Sequence, residues 1–249
     1  MKFVDLHTHV LPGLDDGAAD VGTAFAMLEM AAADGTATIV ATPHARHDRF
    51  PAVDCQRRGQ AAATVRERLP EGLTVALGAE VRVDSELLAE LDRGDEARWL
   101  YLAGSRYILL ELPPIDLGYD PVALVHELHV AGSVAVIAHP ERIPWLSQDF
   151  DALAALVDRG ALLQVTAASL TGAAGRGATR CARWLMDEGL VGFVASDAHN
   201  TTTRAPLLHE AFTIVADRWG DEVALRLFVD NPARVLADRS IQLAREGTS

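Results

Sequence analysis

Asp5-Leu6-His7-Thr8-His9 stands near the start of the sequence, and Leu14-Asp15-Asp16-Gly17 follows closely. Further along come Thr42-Pro43-His44, Gly78-Ala79-Glu80, Leu110-Glu111-Leu112-Pro113, His139-Pro140-Glu141-Arg142, Gln164 with Thr166, and Ser196-Asp197-Ala198-His199-Asn200. Nearly every one of these groups holds an imidazole or a carboxylate. In an extended strand residues i and i+2 project to the same face, so His7 and His9 can share one cation, and Asp197 and His199 have the same spacing. Carboxylates and imidazoles gathered into one cleft are electrostatically unfavourable without cations. Mixed nitrogen and oxygen ligation suits Zn, Mn or Fe. Fewer than four protein ligands per ion leaves positions for water and substrate. His126, His129 and His209 lie within helical stretches away from such groups and are read as helix-surface or second-layer groups.

Such residues need elements that bring them together. Strand candidates are Lys2–Thr8, Ala37–Ala41, Leu73–Ala79, Tyr107–Leu110, Val134–Ala138, Ala161–Val165 and Val191–Ala195, with Trp99–Leu102 as a short extra strand. Between them lie helical stretches: Thr23–Ala33, Cys55–Leu69, Asp84–Asp92, Pro121–Ala131, Asp149–Asp158, Ala178–Glu188 and Arg204–Arg218. Asp20, Asp84, Asp120 and Asp149 stand where an N-cap is wanted. Gly35, Gly132, Gly160 and Gly189 stand where a left-handed C-cap is wanted. The rhythm predicts βαβ units and a parallel sheet, closed or nearly closed. Seven units are one fewer than the common barrel has, so the expected fold is α/β, a distorted (β/α)7 TIM-like barrel, with residues 1–249 as a single domain. Chemistry in such a barrel sits at the C-terminal ends of the strands, where the polar groups above fall. The tail after Gln242 is expected to fray.

Composition narrows the function further. At 49% hydrophobic and 23% charged, the 249 residues can build a real core. A net charge of −13 argues against nucleic acid or an anionic membrane surface as partner. No apolar run is long enough to cross a membrane. Asp5, His7 and His9 occupy the stretch where a signal peptide needs an apolar core, so a cytoplasmic protein is expected. Two cysteines make a disulfide framework or a thiolate zinc site improbable. Neither is a Cys-x5-Arg nucleophile, since Ala61 and Asp187 stand six residues after Cys55 and Cys181. No phosphate-binding Walker loop or dinucleotide-binding glycine fingerprint is visible.

The motifs DLHTHVLPGLDDGA, ATPH, GAE, ILLELP, AHPER, QVTAASLTG, GLVGFVASDAHNTTTR and NPARVL span nearly the whole chain. With them the sequence resembles the polymerase-and-histidinol-phosphatase (PHP) superfamily, and within it the bacterial capsular-polysaccharide tyrosine-protein phosphatases of CpsB/CapC/YwqE type. The resemblance implies the PHP form of the barrel and a centre of two to three divalent ions, manganese first, with iron, zinc or magnesium as alternatives. One ion would take His7, His9, Glu80 and Asp197. A second would take Glu80 as a bridge, Glu111 and His139. A third would take Asp16, His44 and His199. Phosphomonoester hydrolysis follows, with Arg142 and Arg204 gripping the phosphoryl oxygens and His199 or His44 as candidate proton donors. Arg46, His47 and Arg49 would steer an acidic phosphopeptide. The implied partner is a phosphotyrosine protein, a tyrosine kinase of polysaccharide export. Three departures stand out: Ala45 where a second His often follows ATPH, Ile143 where an aromatic commonly follows HPER, and Thr166 where Asn is common. A small-molecule phosphatase, with histidinol phosphate as substrate, and a metal-stabilised interaction barrel stay open as alternatives, as does the oligomeric state.

Overall fold

The computed structural model describes residues 2–50, 53–115, 118, 120–241 and 243. Its strands are β1 (Phe3–Thr8), β2 (Thr36–Ala41), β3 (His44–Ala45), β4 (Thr74–Leu77), β5 (Glu80–Arg82), β6 (Tyr107–Glu111), β7 (Val134–Ala138), β8 (Leu162–Thr166) and β9 (Val191–Ala195). Among the described residues ten α-helices intervene or follow: α1 (Val21–Asp34), α2 (Cys55–Arg66), α3 (Leu87–Leu91), α4 (Pro121–Val130), α5 (Phe150–Asp158), α6 (Ala167–Thr171), α7 (Arg176–Asp187), α8 (His209–Trp219), α9 (Asp221–Leu225) and α10 (Asn231–Leu236). All strand pairs are parallel, as βαβ crossovers require. Of the tail after Gln242, expected to fray, Leu243 packs partly buried against the core and the rest lies outside the described residues.

The barrel is distorted in a specific way. One sheet runs β1-β2-β4 and the other β3-β5-β6-β7-β8-β9. The expected strand over Leu73–Ala79 is therefore split, its second half β5 lying in the other sheet. Pro43 ends β2 because it has no N–H to give; the chain resumes as β3, which pairs with β5 at His44 and Glu80. Gly78 makes the matching crossing. Its N–H bonds to Ala41 O at 2.9 Å, and a methyl there would stand 3.0 Å from Leu102 and 3.1 Å from Val40. Counting β2/β3 and β4/β5 as broken staves gives seven. Closure is made by β1 and the end of β9: Asp197 N donates to His7 O at 2.9 Å, and His9 N to Ala198 O at 2.8 Å.

Local chemistry accounts for most helix ends. Asp20, Asp54, Asp120 and Asp149 each accept backbone N–H groups of the first turn. Asp84 does not cap α3; its carboxylate takes Glu86 N and Arg46 instead. The last long helix starts at His209 and not at Arg204, because Arg204 O closes a loop by accepting from His199 N and Asn200 N, and Pro206 disfavours helix just before it. Trp99–Leu102 forms no strand: it falls in 3₁₀ turns, with Tyr101 making one bridge to Ile108. Val4, Leu6, Val40, Leu109, Val136, Ala138, Phe193 and Ala195 pack into one buried cluster. Several of them stand one or two positions before a polar strand exit, so the apolar plug fixes the strands that carry the donors.

Candidate metal centre

His7 and His9 leave β1 with their Nε2 atoms 3.1 Å apart. His7 Nδ1 lies 2.9 Å from Gln164 Oε1, and His9 Nδ1 lies 2.8 Å from Asp15 Oδ2. Both oxygens only accept, so each Nδ1 carries its ring's proton and each Nε2 offers a lone pair. Two lone pairs facing each other across 3.1 Å repel unless a positive centre joins them. Burial opposes a charged His9, yet Asp15 and Glu80 outweigh it and push the ring up to about 10. The carboxylates here thus demand a cation or a proton.

Glu80 begins β5 and is 1% exposed. Its Oε2 lies 3.3, 3.2 and 3.1 Å from His7 Nε2, His9 Nε2 and His44 Nδ1, and its Oε1 lies 2.8 Å from His139 Nε2. Burial raises its pKa, but His7, His44 and His139 hold the carboxyl well below the usual range. Asp197 Oδ1 lies 3.4 Å from His7 Nε2. Its Oδ2 takes Arg142 and, at 2.7 Å, Arg204. Burial again opposes ionisation, and His7, His139 and Arg204 overcome it. Asp197 and His139 both sit in left-handed backbone, φ +53° and +32°. Non-glycine residues pay strain there, as is common at functional sites.

Asp16 reaches in from the loop after β1, with Oδ1 3.4 Å from His44 Nε2 and 3.2 Å from His199 Nε2. Gly17 makes that reach possible, since a Cβ there would lie 2.1 Å from His9 O. His199 Nδ1 gives its proton to Asp197 O at 2.9 Å, leaving Nε2 bare toward Asp16. Burial and His9 push His199 down to about 4. The candidate donors are thus brought together, among the described residues, in four overlapping groups: His7, His9 and Glu80; His7, His139 and Asp197; His9, Asp16, His44 and His199; and His44, His47 and Glu111.

Glu111 stands apart from its expected trio. Its Oε1 pairs with Arg82, its register neighbour on β5, at 2.8 Å, and its Oε2 faces His44 and His47 at 3.7 and 3.8 Å. Glu80 and His139 do meet. Arg142 and Arg204 border the cluster, both ion-paired with Asp197 Oδ2. Arg46 does not serve as a free steering cation: Asp84 holds it in a bidentate pair at 2.7 and 2.8 Å, and Glu90 lies 3.5 Å away. His47 is tucked against Phe50 and His44, and Arg49 is exposed with its N–H on His47 Nδ1. His126, His129 and His209 are exposed on helices, as read from the sequence.

Sequence reasoning gave no role to Asp15 or Gln164. Asp15 accepts from His9 Nδ1, His44 N and Gly17 N; Gln164 Oε1 accepts from His7 Nδ1 and His139 N. The available signals were an acidic doublet before glycine and a lone amide inside the apolar strand Leu162–Thr166. Glu141, 1% exposed, is a third: its Oε1 accepts from Thr166 N, Thr166 Oγ1 and Ser169 Oγ. The residues present fit divalent cations. Glu80 Oε2, Asp197 Oδ1, Glu111 Oε2, His44 Nδ1 and His199 Nε2 are all buried without a hydrogen bond, a concentration that would cost about 1–3 kcal/mol per atom if nothing answered it.

A parallel, seven-stave α/β barrel with imidazoles and carboxylates crowded at its strand exits is a metal-centre barrel by architecture. The family model for capsular polysaccharide synthesis, CpsB/CapC, matches residues 3–237, and the chain belongs to that family. It is 33% identical over 242 residues to the tyrosine-protein phosphatase YwqE of Bacillus subtilis, covering 96% of this chain and 93% of the relative. To the tyrosine-protein phosphatase CpsB of Streptococcus pneumoniae it is 29% identical over 247 residues, 96% of this chain and 100% of the relative. A crystal structure from work on these two, described as unique metal-dependent tyrosine phosphatases, superposes with a TM-score of 0.90 at 32% identity, covering 98% of this chain and 97% of the other.

Proposed function

We propose that the protein is a metal-dependent phosphomonoester hydrolase, a protein-tyrosine phosphatase acting on a bacterial tyrosine kinase that regulates capsule or exopolysaccharide synthesis in the cytoplasm. The observation that carries this reading is the convergence of Arg142 and Arg204 on Asp197 Oδ2 at the rim of the donor cluster. They border a cleft of about 250 Å³. A dianion entering there meets guanidinium N–H groups on one side and the cation-holding cluster on the other. The names of the relatives at 29–33% identity support the same substrate class.

His7, His9, Glu80, His139 and Asp197, with Asp16, His44 and His199, would hold two to three divalent ions, manganese first; Glu111, paired with Arg82, would join them only on releasing that partner. Such ions lower the pKa of a bound water toward neutrality and draw charge from the phosphoryl oxygens. Arg142 and Arg204 each present several N–H donors, and the bond to Asp197 occupies only part of each fork. The free N–H groups orient the phosphoryl oxygens while Asp197 keeps both side chains extended into the cleft. Asp15 and Gln164 fix the tautomers of His9 and His7. His199 carries its proton at Nδ1, bonded to Asp197 O, so it has none at Nε2 to give a leaving phenolate. We therefore place His199 among the cation-holding groups, and the phenolate takes its proton from solvent.

The test is a substrate panel of phosphotyrosine peptide, phosphoserine peptide and histidinol phosphate, each with Mn, Zn or Mg. Preferential turnover of phosphotyrosine supports the proposal. Preferential turnover of histidinol phosphate would move the protein to small-molecule chemistry, and no turnover with any metal would remove it from catalysis.

A further inference from the structure

We propose that the outer face of α7 docks an acidic stretch of the substrate polypeptide beside its phosphotyrosine; this rests on the phosphotyrosine reading above. Cys181, Ala182, Leu185 and Met186 turn one side of α7 into the core. The opposite side carries Arg176, Arg180 and Arg183, all exposed and spaced to fall in one line. Among the described residues none of the three has a hydrogen bond or ion pair. Carboxylates are plentiful on a chain of net charge −13, yet among the described residues none pairs with this line. The contrast with Arg46, held by Asp84 and Glu90, is direct. The acid at the far end of the helix, Asp187, is already engaged by Arg218 and Trp219 Nε1, so it opposes an incoming anion less.

The line of arginines borders a shallow groove of about 570 Å³ that also includes Gly172, Thr179 and Trp184. Trp184 is stacked on Phe150 at 4.3 Å, which gives the groove a rigid apolar wall. The groove and the proposed catalytic cleft are separate cavities that adjoin along the chain at the turn after α6. Ala167, Ala168, Thr171 and Ala173 line the cleft beside Arg142 and Arg204, and Gly172, between the last two, lines the groove. A polypeptide with its phosphotyrosine in the cleft can thus cross the Gly172 turn and run along α7. Arg176 to Arg183 spans seven residues, about 10 Å of helix. Three acidic residues at alternate positions of an extended peptide span about 13 Å, which the long arginine side chains can match, so each would face a guanidinium.

The test compares two phosphotyrosine peptides on the manganese-loaded enzyme, one flanked by Asp and Glu and one by Ala, at low and high ionic strength. An exposed ion pair is worth a factor of roughly 1.5 to 5, so three give the acidic peptide a KM about tenfold lower. Salt near 0.5 M should erase most of that advantage. The variant Arg176→Gln/Arg180→Gln/Arg183→Gln should lose the preference by raising KM for the acidic peptide alone, with kcat unchanged. An intact preference in the variant, or an equal rise for both peptides, would overturn the proposal. If neither peptide is turned over, the tyrosine-phosphatase reading fails by itself. Anisotropy with a labelled acidic peptide carrying a non-hydrolysable phosphotyrosine analogue then decides the docking face: weakened binding in the variant supports it, and unchanged binding overturns it. Retention on phosphatidylserine vesicles with no preference between peptides would overturn it in favour of a membrane surface.

Discussion

Gly17→Ala is a one-methyl change with a large expected effect. The new Cβ would stand 2.1 Å from His9 O and 2.4 Å from His9 Cβ, both in the immediate frame of β1. Neither neighbour is a flexible side-chain end, so the Asp15-Asp16-Gly17 turn must lift by about 1 Å in a close-packed surrounding. The lift strains the bonds from Ala18 N to His9 O and from Gly17 N to Asp15 Oδ1, each 2.9 Å. It also strains the hold of Asp15 on His9 and on His44 N. At about 1 kcal/mol per bond, two to four weakened bonds give a loss of about 2–4 kcal/mol. For a domain of this size that lowers Tm by about 5–15 °C. Asp16 moves with the turn, and a 1 Å misplacement costs about 100-fold in turnover. Differential scanning fluorimetry, elemental analysis of bound metal and phosphotyrosine turnover read the three consequences on one preparation. Gly59→Ala supplies the control: Gly59 lies inside α2 with nothing within 4 Å of its added Cβ, so stability should rise by about 0.5–1 kcal/mol. A Gly17→Ala protein melting within 1–2 °C of wild type, with full metal content and turnover, would refute the reasoning.

Glu80→Gln keeps the shape but removes the charge that faces His7, His9, His44 and His139, so metal content should fall and turnover drop by about 100-fold or more; elemental analysis with kinetics checks both. Arg142→Ala should raise KM and lower kcat on a phosphotyrosine peptide while metal content stays level, and metal loss would show it to be a support of the cation-holding shell instead. Arg46→Ala, which only breaks pairs with Asp84 and Glu90, should leave peptide KM within about twofold and lower Tm by a few degrees, as expected for a partly buried ion pair. Chelation should abolish turnover and lower Tm, since a ligand that binds only the native state stabilises by mass action; a back-titration with manganese should restore both.

The reach of the sequence differed between elements for identifiable reasons. Strand cores such as Val134–Ala138 and Val191–Ala195 were legible because continuous apolar runs bounded by glycine mark buried parallel strands, and caps such as Asp20 and Asp149 were legible because their partners are three residues away. His7, His9, Asp197 and His199 announced themselves by i, i+2 spacing on strand ends. The breaks at Pro43 and Gly78 were not legible, since they depend on which segments lie alongside, Val40 of β2 and Leu102 of a 3₁₀ turn in the case of Gly78. The same holds for side-chain partners distant in sequence. Nothing near Arg46 says that Asp84 will clamp it, nothing near Asp84 says that it will forgo its cap, and nothing near Glu111 says that Arg82 will draw it aside. Gln164 was visible as a polar break in LLQVT, but its duty toward two histidines depends on closure of the barrel.

That closure has a consequence for when the centre can exist. The backbone bonds joining β1 to the end of β9, Asp197 N to His7 O and His9 N to Ala198 O, lie among the donors themselves. They unite residues about 190 positions apart, among the most costly contacts for a chain to form early. The centre is therefore assembled at the seam of the barrel, the last place to shut. Until β9 is in place, His7 and His9 have no Asp197 or His199 opposite them, and a growing chain offers an ion only groupings that lack both, such as His7, His9 and Glu80. A divalent ion held there would fasten the first strand to the last. Removing it should open the barrel at this seam before any other part unravels, and hydrogen exchange at the His7, His9 and Asp197 amides would register that opening first.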